Sequence, residues 1–173
     1  MNASEACQLI EAAIPEKIKA NWADLGCGGG TFTEAIADLL GEGSKIWAVD
    51  KLNQHVASRK GNVQIEFVQA DIERQQLELK DLDGIIIANT LHYIKDQSGF
   101  LKGLRSYLKD GGKLVLVEYN TERSNQWVPF PVTYEKAASL LTQTGFKNIS
   151  MIGEHPSSFR GEMIFACVAY FLI

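Results

Sequence analysis

Residues 22–40 read WADLGCGGGTFTEAIADLL, with Gly26, Gly28, Gly29 and Gly30 set between a strand-like run and an amphipathic helical pattern. Ordering glycine costs more backbone freedom than ordering any other residue, so such a cluster marks either a sharp turn or a ligand lying against the main chain. A tight turn alone needs one or two glycines. A strand, this turn and then a helix set backbone N–H groups at the carboxyl edge of a sheet, where open α/β sheets bind ligands. The spacing is Asp24-x-Gly26-x-Gly28-x-Gly30, and Thr31 stands where a dinucleotide fingerprint has its third glycine.

The rest of the chain alternates in the same way. Ala6, Leu9, Ile10, Ala13 and Ile14 recur at helical spacing before Pro15, which predicts a first helix within residues 1–15. Thr31 and Glu34 read as a capping box ahead of the stripe Phe32, Ala35, Ile36, Leu39 and Leu40. KIWAV runs to Asp50, VQIEFVQ leads to Asp71, and GIIIAN suits a strand buried on both faces. A helix is expected around Phe100, Leu101, Leu104 and Leu108, closed by Gly111 and Gly112, followed by the strand KLVLVEY. Thr133 reads as the cap of a helix that ends at Gly145. KNISMI and EMIFACVAYF then follow one another without a helix, so their pairing is expected to be antiparallel. The prediction is an α/β fold with a doubly wound, mostly parallel sheet and helices on both faces.

Length fits one domain over residues 1–173, with 120–132 as a candidate substrate loop. A net charge of -4 argues against a general affinity for nucleic acid or a membrane surface. Cys7, Cys27 and Cys167 have neither metal-ligand nor redox spacing, so no metal site is expected and a reduced, cytoplasmic setting is. No basic, then apolar, leader pattern is visible at the start of the chain.

Asp24, Asp50 and Asp71 follow three successive strands. Each alone reads more readily as a turn or N-cap residue. Together they suit a nucleoside ligand, Asp50 accepting from a ribose diol and Asp71 meeting an adenine edge. At this point the sequence resembles the class I S-adenosylmethionine-dependent methyltransferases, over nearly its whole length: WADLGCGGG, AVDK, VQADI, DGIIIANTLHYI, LKDGGKLVLVE and the terminal strand pair. The resemblance implies a seven-stranded sheet of order 3-2-1-4-5-7-6 with the seventh strand antiparallel. It also implies S-adenosylmethionine as cofactor and S-adenosylhomocysteine as product. Asp24, Gly26, Cys27 and Gly28 would wrap the methionine half, Asp50 the ribose, Lys51 and Leu52 the adenine flank, and Asp71 and Ile72 the adenine edge. Asn89 would face the methionine end. Asp110 replaces the proline that many relatives carry before the double glycine.

ANTLHYI lacks the Asn/Asp-Pro-Pro-aromatic motif of enzymes that methylate nucleobase amino groups, and no paired-glutamate loop is present, so a small-molecule acceptor is expected. His92 falls where cofactor and acceptor should meet, as a general base or as a polar pocket wall. Glu118 and Tyr119 end the fifth strand, and Trp127 and Phe130 give the following loop unusual apolar bulk; these four are candidate substrate contacts. His55 and His155 read as surface residues, and Cys27 as a small residue tolerated against the cofactor. Two other readings remain: a cofactor-binding regulatory module without methyl transfer, and an NAD(P)-dependent oxidoreductase. The sequence leaves acceptor and oligomeric state open.

Overall fold

The computed structural model describes residues 1–14, 16–157 and 161–173. Among them, eight strands form one sheet: β1 Asn21–Leu25, β2 Lys45–Asp50, β3 Arg59–Lys60, β4 Val63–Gln69, β5 Leu82–Ala88, β6 Leu108–Tyr119, β7 Lys147–Pro156 and β8 Met163–Tyr170. The α-helices are α1 Ala3–Ile10, α2 Thr31–Leu39, α3 Gln97–Leu104 and α4 Tyr134–Gln143. Strand order is β3-β4-β2-β1-β5-β6-β8-β7. Apart from β3 this is the expected order, with β8 antiparallel to both β6 and β7. The sheet therefore has eight strands rather than seven. Its addition is a two-residue hairpin arm pairing Arg59 with Gln64 and Lys60 with Val63 across Gly61 and Asn62, a short Gly-Asn loop of the kind that closes tight hairpins.

Residues alternate between two cores. On one face α1 and α2 cover Trp22, Ile46, Ala48, Ile86, Val115 and Val117. On the other α3 and α4 cover Ala23, Leu25, Ile85, Ile87, Leu114 and Leu116. Ile85, Ile86 and Ile87 are all fully buried, as a central parallel strand requires; each such side chain contributes about 1.5–3 kcal/mol.

Three local expectations are corrected. Gly30, at φ +87°, is the N-cap of α2, which has no side-chain cap. Thr31 is thus the first helical residue rather than a cap, and the Glu34 carboxylate lies 3.7 Å from the Lys60 ammonium instead of reaching back. The helix before β6 stops at Leu104, because a 3-10 turn over Arg105–Tyr107 delivers Leu108 directly into the sheet. Gly111 and Gly112 consequently lie inside β6, where the register slips between Leu82–Leu108 and Gly84–Lys113. Finally, α1 ends at Ile10 and a 3-10 turn carries Glu11–Ala13; Asn2 and Glu5 form its capping box. Pro15, the predicted stop, lies outside the described residues.

Candidate active site

The parallel strands β1, β2, β4, β5 and β6 end at one edge, and the candidate residues gather there. Gly26 and Cys27 both donate from backbone N–H to the Val49 carbonyl, at 2.8 and 3.0 Å, which pins the glycine turn to β2. Gly26 sits at φ +83°, and a Cβ on it would stand 2.3 Å from Thr90 Oγ1. Gly28 is also left-handed, at φ +50°, but its side is open. The Asp50 carboxylate bridges the two segments, accepting from Gly28 N–H at 2.9 Å and Leu52 N–H at 2.8 Å.

Three adjoining cavities occupy this edge. One of about 470 Å³ is lined by Gly28, Asp50, Lys51, Leu52, Asp71 and Ile72, with Tyr93 and Ile94 among its further walls. A second, of about 360 Å³, has Asp24, Gly26, Cys27 and Gly28 on its floor, with Tyr119 and His155 closing over it. The third, of about 340 Å³, lies between His92, Tyr93, Tyr119, Trp127 and Val128. Asn89 lines all three. It sits at φ +50°, and its Oδ1 is buried with no hydrogen-bond partner among the described residues.

Asp24 is 1% exposed and its Oδ2 accepts from the Thr33 hydroxyl at 2.6 Å, while Oδ1 has no partner among the described residues. Burial above all pushes its pKa up to about 6, against the pull of the Thr33 bonds, and the Asp50 charge adds to the rise. Cys27 is buried too. Its thiol is pushed up to about 12 by burial and then by Asp24 and Asp50, so it is no nucleophile.

His92 and Glu118 form a buried pair. His92 Nδ1 lies 2.6 Å from Glu118 Oε2, and the His92 backbone N–H donates to Oε1 at 3.2 Å. Both are almost fully buried, at 2% and 1% exposure. A carboxylate there accepts a hydrogen bond from Nδ1–H and leaves Nε2 as the ring's acceptor, the arrangement by which an acid orients a histidine base. Glu118 is thus neither a solvated strand end nor a lining residue of the third cavity; it stands behind His92. Phe130 does not line that cavity either. Its backbone N–H donates to the His92 carbonyl at 2.9 Å, and its carbonyl accepts from Gln97 Nε2 at 2.9 Å. The Tyr119 hydroxyl is held above the usual phenolic range by burial and then by the Glu118 charge, so it remains a donor.

His155 corrects another expectation. It is only partly exposed: it lines the Asp24 cavity, with Nδ1 buried and unpartnered among the described residues and Nε2 3.9 Å from Glu5 Oε1. Its strand, β7, is remote in sequence from the glycine turn, and no local motif marks it. Tyr93 and Thr90 belong to no motif of their own either, although ANTLHY places both within four residues of Asn89.

A family profile described as a methyltransferase domain matches residues 17–150. The ubiquinone biosynthesis O-methyltransferase of Xanthomonas axonopodis pv. citri is 29% identical over 103 residues, covering 56% of this chain and 42% of that protein. The demethylmenaquinone methyltransferase of Bacillus mycoides is 25% identical over 155 residues, covering 84% of this chain and 65% of that protein. The chain thus spans less than half the length of the first of these relatives. Among solved structures, the 1,6-didemethyltoxoflavin-N1-methyltransferase of Burkholderia thailandensis, with 1,6-didemethyltoxoflavin and S-adenosylhomocysteine bound, superposes with a TM-score of 0.74 at 18% identity, over 99% of this chain and 78% of that one. A SAM-dependent methyltransferase from Aquifex aeolicus gives 0.68 at 17% identity, over 99% and 100%.

Proposed function

The chain belongs to the methyltransferase-domain family, and from that premise we propose that it transfers the methyl group of S-adenosylmethionine to a small-molecule acceptor. The observation that carries this reading is the meeting of three cavities at Asn89. In it the adenine lies by Leu52, Asp71 and Ile72, the ribose diol donates to Asp50, and the methionine end reaches Asp24 and the glycine turn. The third cavity then holds the acceptor. The residues suit the ligand: Gly28 leaves room where the cofactor passes, and the unpartnered oxygens of Asp24 and Asn89 face the cationic end.

The bound sulfonium supplies an already activated methyl group. What the protein adds is in-line positioning of a nucleophile and, where the acceptor carries a proton, a base. His92 is placed for that, with Glu118 fixing its tautomer and offsetting the positive charge it gains. Calorimetry with S-adenosylmethionine, S-adenosylhomocysteine and NAD(H), followed by labelled-methyl transfer into metabolite extracts, tests the reading. Binding of both adenosyl compounds, no binding of NAD(H), and a labelled product are expected. Binding without transfer would favour a regulatory module.

A further inference from the structure

Building on that reading, we infer that the third cavity takes a planar aromatic acceptor and that the methylated atom is the oxygen of a ring hydroxyl. The cavity is walled by the rings of His92, Tyr93, Tyr119 and Trp127. Tyr93 is 50% and Trp127 54% exposed, and both line the hollow. These rings stand on a stiff frame. Gln97 Nε2 donates to the carbonyls of Leu91 and Phe130, Phe130 N–H donates to His92, and Asn125 Oδ1 receives the N–H groups of Trp127 and Val128. Aromatic walls carried on a hydrogen-bonded backbone select a planar ring by stacking and edge contacts, and each ring has only two side-chain torsions to order on binding. A volume of about 340 Å³ admits one substituted ring or a fused pair; a cavity of about 150 Å³ already takes benzene.

The buried pair selects the functional group. His92 backed by Glu118 accepts one proton at Nε2. A phenol, with a pKa of about 10, falls within reach of an imidazole base. An aliphatic hydroxyl, close to the value of about 15.7 for water, does not. A carboxylic acid arrives already ionised and leaves the base nothing to do. In the step, the acceptor O–H bond breaks as Nε2 takes the proton. An oxygen electron pair forms the O–CH3 bond, the S–CH3 bond breaks, and its electrons remain on sulfur in neutral S-adenosylhomocysteine. The imidazolium then releases its proton to water, leaving an aryl methyl ether.

The test uses the full chain with methyl-labelled S-adenosylmethionine and two sets of probes: phenol, catechol, 4-hydroxybenzoate and 2-naphthol, against aniline, benzoate, benzenethiol and cyclohexanol. Label is expected in an aryl methyl ether of at least one phenol and in no product of the second set. For that phenol, His92→Gln should lose at least 100-fold in kcat at pH 8 with S-adenosylmethionine Kd within twofold. It should recover most of the parental rate on 4-nitrophenol, which is already ionised. Trp127→Ala should raise the phenol KM about tenfold with cofactor affinity unchanged. Transfer confined to the second set, or no transfer to any probe by a chain that binds the cofactor, overturns the aryl hydroxyl while the methyltransferase reading stands. Failure to bind the cofactor overturns both. A His92→Gln protein equally impaired on 4-nitrophenol removes the base from the step.

Discussion

Asp24 and Glu118 are both strand-end acids at 1% exposure, yet their surroundings differ in kind. Glu118 has both oxygens engaged by His92, whereas Asp24 keeps one oxygen without a partner among the described residues. An acid held that way keeps its proton to a higher pH than an exposed carboxyl does. Its pKa is raised from 3.8 to about 6, so the folded state holds the proton more tightly than the unfolded chain. The contribution of Asp24 to stability is therefore full below pH 3.8 and falls as pH rises to about 6, a span worth about 3 kcal/mol. Urea unfolding of the unliganded protein at pH 5 and pH 8 should show this slope, and Asp24→Asn should flatten it. The same group should give up a proton when the cationic cofactor binds. At pH 5.5 the calorimetric enthalpy should vary with the ionisation heat of the buffer, by up to about one proton released, and at pH 8 it should not. An enthalpy independent of buffer at both pH values would mean that Asp24 does not sense the ligand. Asp50→Ala should weaken S-adenosylmethionine binding by about 1.5–3 kcal/mol, read as Kd, with urea unfolding checking that the fold survives. Asp24, Asp50 and Asp71 were legible in the sequence because each lies at or just beyond the carboxyl end of a strand-like run. The His92–Glu118 contact was not, since 26 residues separate the partners and only adjacent parallel strands bring them together.

At the scale of the element, two glycines of one turn serve different ends. Gly26 gives Thr90 its place, so Gly26→Ala should destabilise the fold itself, by about 1–3 kcal/mol for overpacking and strain. Gly28 touches nothing with its open side, so Gly28→Val should chiefly cost cofactor affinity, through a side chain standing in the cavity, with some added strain at φ +50°. Parallel urea unfolding and calorimetry on the two variants check this; equal losses of stability with equal cofactor affinities would remove the distinction. The glycine cluster itself announced the turn. Its capping did not follow the sequence, because left-handed Gly30 is the N-cap of α2 and Thr31, its first residue, lines the Asp24 cavity. The loop after β6 behaves similarly. Its apolar bulk was legible, but the apolar residues divide: Trp127 faces the cavity, while Phe130 serves through its backbone. Backbone tethering leaves no mark in residue type.

Across the whole molecule, hydrophobic runs, helix patterns and the unbroken terminal strand pair made the alternating α/β architecture and its antiparallel ending legible, while the order of the strands followed from the resemblance to the class I methyltransferases. The eighth strand and the two corrected helix ends belong to short segments, where pairing geometry decides and periodicity is too brief to register. One asymmetry concerns the covering of the sheet. Among the described residues no helix lies between β2 and β4 or between β4 and β5. Trp47, Val68, Leu77 and Leu79 are only partly buried there, around a hollow of about 410 Å³. The strands β1, β5 and β6, by contrast, are covered on both faces. Opening free energies follow such differences in burial, so amides in residues 51–58 and 71–81 should exchange with deuterium much faster than those of β1, β5 and β6. These lightly packed segments also carry Lys51, Leu52, Asp71 and Ile72, which line the cavity proposed above for adenosine. A ligand that bridges them to the glycine turn must slow their opening by its binding energy. Adding S-adenosylhomocysteine should therefore protect residues 51–54 and 71–75 by at least tenfold and leave the core of β5 unchanged. Protection confined to the glycine turn, with both segments exchanging as before, would place the adenosine elsewhere.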